Sequence, residues 1–69
     1  MRHEILSALK KHAYGNIELH KMNIEIYLNN PAGIGEHSDI MEAIQAELDK
    51  IAMHEDRLDV IDSWIDTVD

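Results

Sequence analysis

The chain has 69 residues, no cysteine, and 6 lysines and arginines against 14 aspartates and glutamates, which gives a formal net charge of −8. Its 45% of apolar residues is enough to fold, but a chain this short usually needs a disulfide, a metal or association with another chain. Without cysteine, only association or a metal held without thiolates remains. The acidic charge argues against nucleic acid or an anionic membrane surface as a partner.

The sequence also argues against a membrane-spanning or exported chain. No apolar run approaches the roughly 20 residues that a membrane span needs. The first four residues, Met-Arg-His-Glu, lack the apolar core of a signal peptide. We therefore expect a cytoplasmic protein.

The charges divide the chain into two unlike halves. Residues 1–30 carry four basic and three acidic groups, a sum of +1, whereas residues 31–69 carry two basic and eleven acidic groups, a sum of −9. The two halves are therefore electrically complementary.

The first segment, about residues 3–29, is predicted to form a helix. Asn-Ile-Glu occurs at residues 16–18 and again at 23–25, and a period of seven is typical of a helix rather than a strand. Gly15 costs about 1 kcal/mol relative to alanine, which predicts a kink or a close helix contact there. The predicted inner positions of this helix are Leu6, Ala13, Ile17, His20, Ile24 and Tyr27.

Helix breakers separate the two segments at about residues 30–37. Pro31 cannot continue the first helix, because it lacks an N–H and clashes with the preceding turn, and the glycines that follow permit a turn. Ser38 or Asp39 is then expected to cap a second helix over about residues 38–68.

The second helix is predicted from an unbroken heptad pattern, in which the spacing alternates between 4 and 3 residues. Two consecutive layers place Glu47 and His54 where a coiled coil normally has leucine. The pattern runs through Ile40, Ile44, Glu47, Ile51, His54, Leu58, Ile61, Ile65 and Val68.

Two helices joined by a short loop should fold back as an antiparallel helical hairpin, which is an all-α fold. Centring the loop near residues 33 and 34 pairs positions whose numbers sum to about 67, within one helical turn. His20 then faces Glu47, so that the imidazole donates to a carboxylate that would otherwise be desolvated without a partner. The same register places Ala13 opposite His54, where the small alanine leaves room for the imidazole, and it brings His12 to Glu55.

A ridge of polar residues on the first helix extends this pair into a polar layer in the core. We interpret the layer as a hydrogen-bond network that fixes the register of the helices. A small-molecule pocket along the ridge is the alternative. The layer consists of His12, Asn16, His20, Asn23, Tyr27, Glu47, His54 and Glu55.

A metal site is a second alternative for the same layer. Two copies of the chain would bring histidines and carboxylates together in a set that suits zinc or iron. However, neither the His-Glu-x-x-His pattern of zinc proteases nor the Glu-x-x-His pattern of di-iron bundles occurs in the chain. The candidate metal ligands are His20, Glu47 and His54.

Both helices carry a second apolar stripe that a lone hairpin would leave in water. A twofold axis would bury this stripe against a second copy and form a four-helix bundle, so we expect a homo-oligomer and favour a dimer. Docking of a different protein on the stripe is the alternative. The stripe includes Leu19, Met22, Ile26, Met53, Val60 and Trp64.

The stretch around the predicted loop resembles a known group of proteins. Its residues are Asn-Ile-Glu-Ile-Tyr-Leu at 23–28, Asn-Pro at 30–31 and Gly-Ile-Gly-Glu-His at 33–37. The sequence here is similar to that of small uncharacterised proteins encoded by marine tailed phages, and the resemblance covers most of the chain. It implies a phage-infected bacterial cytoplasm and supplies no activity or catalytic residue.

The sequence is therefore interpreted as a non-catalytic, self-associating helical binding or assembly module. No enzyme is expected, because no serine or threonine has a predicted histidine and acid within reach. No cofactor is expected either. The alternative from another class is a metal-binding four-helix-bundle protein with its site in the His/Glu layer.

Overall fold

The computed structural model describes residues 1–29 and 37–67, and in it two helices lie side by side and antiparallel. Helix α1 spans Arg2–Asn29 and helix α2 spans His37–Val60, continuing into one π-helical turn at Ile61–Ile65. The all-helical, hairpin-like fold predicted from the sequence is confirmed. Neither described helix is long and apolar enough to cross a membrane. The predicted turn residues 30–36 and the last heptad position, Val68, lie outside the described residues.

The start of α2 differs from the expected one. Because the helix begins at His37, Asp39 lies in its first turn rather than at the cap. There its carboxylate still faces the positive end of the helix dipole, which favours an acid in this turn.

The middle of the hairpin has the register that the loop position predicts. His20 Nδ1 forms a hydrogen bond with Glu47 Oε2 across the two helices. Ala13 and His54, the next predicted pair, are both buried and line the same cavity. Alanine at position 13 leaves room for the larger imidazole opposite it.

The open end of the hairpin is held by basic side chains of α1. The Arg2 guanidinium donates to the carbonyl of Ile65, and Lys10 Nζ lies 2.7 Å from Asp66 Oδ2 and 3.0 Å from Asp62 Oδ1. The hydrogen bond between Lys10 and Asp66 raises the pKa of the lysine and holds the pKa of the aspartate below its ordinary value. These contacts join the start of α1 to the π-helical turn.

The buried core is narrow. Its apolar members are Leu6, Ala13 and Leu58, and its polar members are His20 and His54. The molecule measures 52 × 16 × 12 Å with a radius of gyration of 15.8 Å, against about 11 Å for a compact chain of this length. The single hairpin therefore covers only one stripe of each helix.

Helix α1 continues without a break through Gly15. No atom of the described residues lies within 4 Å of a Cβ built at this position, apart from the helix's own neighbouring backbone. The close contact predicted at Gly15 is therefore not found among the described residues of one chain.

Candidate functional site

A small polar cluster lies between the helices at their middle. Glu47 Oε2 accepts hydrogen bonds from His20 and, at 3.2 Å, from the amide of Asn23. The bond to His20 is the main reason why the pKa of Glu47 lies below its ordinary value, and the Asn23 amide adds to the effect while burial opposes it. Because both donors belong to α1 and the carboxylate belongs to α2, these two hydrogen bonds fix the relative position of the helices.

His54 is the most deeply buried polar residue of the described chain, with only 3% of its surface exposed. Its ring stacks on that of His20 at 6.3 Å and meets that of His12 edge-on at 5.9 Å, measured between ring centroids. Its Nδ1 atom has no hydrogen-bond partner among the described residues. Burial, reinforced by the charge of Arg57 and by the two other imidazoles, lowers the pKa of His54, which favours the neutral ring.

The remaining polar-layer residues of α1 are less buried. Asn16 donates to the backbone carbonyl of His12 at 2.8 Å and its amide lies 3.2 Å from His12 Nε2. Asn16 and Tyr27 are half-buried, whereas His12 is exposed. The ridge therefore reaches from the core to the surface.

One predicted contact of this layer is replaced by another. His12 was expected to face Glu55, but the side chain that its ring meets is that of His54. Glu55 is exposed and lines a different depression, together with Tyr14 and Leu58. Glu55 therefore lies on the other side of the hairpin from His12.

A cavity of about 260 Å³ opens between the helices beside His54. Its walls are mostly apolar, and its polar side chains come from His12, His54, Asp56 and Arg57. The apolar part of its lining consists of Leu9, Ala13, Val60 and Ile61.

The six residues of the predicted second stripe all lie exposed, and we call them the outer face. Their exposed fractions run from 42% for Met53 to 78% for Trp64. Val60 belongs to both the outer face and the cavity wall, so the cavity opens on this side of the hairpin. The outer face consists of Leu19, Met22, Ile26, Met53, Val60 and Trp64.

The candidate metal ligands do not gather around one point. Within residues 1–29 and 37–67, no group of three or more histidine, cysteine, aspartate or glutamate side chains is placed to hold a metal ion. His20 and Glu47 form a hydrogen bond with each other. The ring of His54 instead packs against two other imidazoles, those of His12 and His20.

The basic side chains that hold the open end were not predicted from the sequence. The register would have indicated one of them, because it places Arg2 opposite Ile65. Lys10 is level with residue 57 in that register, so its two aspartates lie five and nine residues beyond the expected level, about 1.4 and 2.5 helical turns. No protein family, curated protein or solved structure matches the chain. Its function is therefore inferred from its own residues.

Proposed function

We propose that the chain is a non-catalytic assembly module that associates with itself through the outer face. The observation that carries this proposal is the imbalance between buried and exposed apolar residues. Among the described residues, one chain buries only Leu6, Ala13 and Leu58 of its apolar side chains, while all six residues of the outer face stay in water. A 69-residue chain with so small a core needs further burial to be stable.

The surface area supports the same proposal. The chain exposes 5367 Å², whereas a compact monomer of its mass exposes about 4,400 Å². The excess, about 900 to 1,000 Å², is close to the roughly 800 Å² that each partner buries in a standard protein interface. A symmetric dimer removes the excess with one patch that binds its own copy.

The polar cluster supports a structural role in such a module. The hydrogen bonds from His20 and Asn23 leave Glu47 engaged with its neighbours rather than directed to an open site. Polar residues at core positions are well known to fix the register of paired helices. In this proposal the cluster sets the shape of the hairpin, and the outer face binds.

Sedimentation of the parent and of two matched variants tests the proposal. We expect the parent to be at least a dimer at micromolar concentration and Met22→Glu to weaken association at least about 100-fold, because the variant buries an unpaired charge. Met41→Glu is the control, since Met41 and Met22 are both 61% exposed but only Met22 lies on the outer face. We expect this control to associate like the parent.

Two results would contradict self-association through the outer face. A folded parent that sediments at 7.9 kDa would exclude a stable dimer. Equal weakening by Met22→Glu and Met41→Glu would show that charge alone, rather than the outer face, governs association.

A further inference from the structure

Each helix carries a second row of residues at heptad spacing, and the two rows lie on the same side of the hairpin. His12 of one row and Arg57 of the other line the same cavity. All row members are exposed except Ala43, which is half-buried. The α1 row contains Ala8, His12, Gly15, Leu19, Met22 and Ile26. The α2 row contains Ala43, Ala46, Lys50, Met53, Arg57 and Val60.

The rows are complementary in size when α1 of one copy packs on α2 of another. A twofold axis parallel to the helices keeps the two copies level, so the register between chains equals the register within a chain, with residue numbers that sum to about 67, within one helical turn. His12 then lies opposite Arg57 and Leu19 opposite Lys50, while in the other four pairs a small residue lies opposite a larger one. These pairs are Ala8 with Val60, Gly15 with Met53, Met22 with Ala46 and Ile26 with Ala43.

Gly15 is the clearest of these pairs. It is exposed, it lies in a helix where alanine would be more stable, and no atom of the described residues, apart from its neighbours along the helix, lies within 4 Å of a Cβ placed there. A close approach by the Met53 side chain of a second copy gives the glycine a packing role that the single chain does not.

The charges favour the same arrangement. Residues 1–29 sum to +1, whereas residues 37–67 carry nine acidic and two basic groups, a sum of −7. Packing α1 on α2 of the second copy keeps the two acidic helices apart. A twofold arrangement that packs α2 on α2 brings two strongly acidic helices together, which costs energy through like-charge repulsion.

We infer that the outer face binds a second copy of this chain about a twofold axis parallel to the helices, with Gly15 of each copy against Met53 of the other. The inference rests on the self-association proposed above and adds its geometry. The two cavities then face each other across the axis, so each is closed by the second copy.

Cysteine cross-linking tests this geometry directly, because the chain has no cysteine of its own. The variants Gly15→Cys and Met53→Cys are oxidised separately and as an equal mixture after exchange. We expect the mixture to give a covalent dimer that contains one of each variant, with little cross-linking of either variant alone. Leu48→Cys mixed with Gly15→Cys is the control, since Leu48 is 50% exposed but lies outside both rows.

The other outcomes overturn the inference and separate it from the proposed function. If each variant cross-links with itself, α1 packs on α1 and α2 on α2. If the mixture fails to cross-link with a disulfide and with a short bis-maleimide while the parent is a dimer, the association uses another geometry. Only a monomeric parent would overturn self-association itself.

A size exchange gives a second measurement. We expect Gly15→Leu to weaken association at least tenfold by colliding with Met53 of the second copy, and Met53→Ala in the same chain to restore it. The monomer helix tolerates the leucine, because the space around position 15 is open and leucine is a better helix former than glycine. Unchanged association of Gly15→Leu would refute the close approach.

Discussion

Replacing His20 and Glu47 together by leucine leaves the melting temperature unchanged or raises it, whereas either replacement alone lowers it by about 10 °C or more. The pair is mutually hydrogen-bonded between the helices. Removing one partner leaves the other desolvated without compensation, and removing both exchanges a polar contact for packed hydrocarbon. Thermal melts of the parent, the two single variants and the double variant at one protein concentration measure the difference.

The same four proteins separate the structural interpretation from the metal alternative. If the pair only fixes the register, added zinc leaves all four melting temperatures unchanged. A metal that binds the folded state would raise the melting temperature of the parent by mass action, and the double variant would lose this gain. Zinc-dependent stabilisation that disappears with His20 and Glu47 would overturn the structural interpretation.

The helices and their register were predictable because both follow from local patterns. The alternation of 4 and 3 residues gives a helix with one inner stripe, and breakers near Pro31 locate the point about which the chain reverses. Counting outward from that point places His20 opposite Glu47, and the hydrogen bond between them is present. A residue sum of this kind depends only on the rise along the helix axis.

The partner of His12 was not predictable by the same count. A sum of residue numbers gives the level along the axis, but it does not say on which side of the hairpin a residue lies. Consecutive residues of a helix differ by about 100° in direction, so Glu55 points to another side than His54 although the two share a level. The ring of His12 therefore meets His54.

The end of the second helix and the shape of the outer face also required the structure. Nothing in the heptad pattern marks the change at Ile61, where the α-helix gives way to a π-helical turn that the Asp66 N–H closes on the Ile61 carbonyl at 2.7 Å. The apolar stripe of the outer face was visible in the sequence. That the exposed Gly15 and the half-buried Ala43 extend the same rows became apparent from the structure, in which both rows line one cavity.

We expect acid to destabilise the protein already at pH values well above the range in which its carboxylates titrate, because of the buried imidazole of His54. Burial lowers the pKa of this imidazole from the ordinary value of 6.5, so the folded state disfavours its protonation. The groups that oppose a proton on His54 are His12 and His20 from α1 and Arg57 from α2, while the carboxylate of Asp56 lines the same cavity. The unfolded chain accepts this proton freely.

Whether acid stabilises or destabilises the fold depends on whether the folded or the unfolded state binds the proton on His54 more tightly. The stability that neutral His54 contributes is complete above pH 6.5, the ordinary value for the unfolded chain, and is lost as the pH falls through the lowered value of the folded chain. Glu47 also has a lowered pKa, but its contribution is lost only below its ordinary value of 4.5. A decline that begins between pH 6.5 and pH 5 therefore belongs to an imidazole.

His54→Leu identifies that imidazole. Leucine is close to histidine in volume, removes the Nδ1 atom that has no partner among the described residues, and cannot take up a proton. We expect the variant to melt about 5 °C or more above the parent at pH 6. We also expect its melting temperature to be nearly constant from pH 7 to pH 5, whereas that of the parent falls.

His3→Leu serves as the control. Because His3 is exposed, we expect the melting temperature of this variant to fall between pH 7 and pH 5 as that of the parent does. If the decline persists in His54→Leu, the proton that destabilises the fold binds elsewhere, and the buried ring is not the acid-sensitive group.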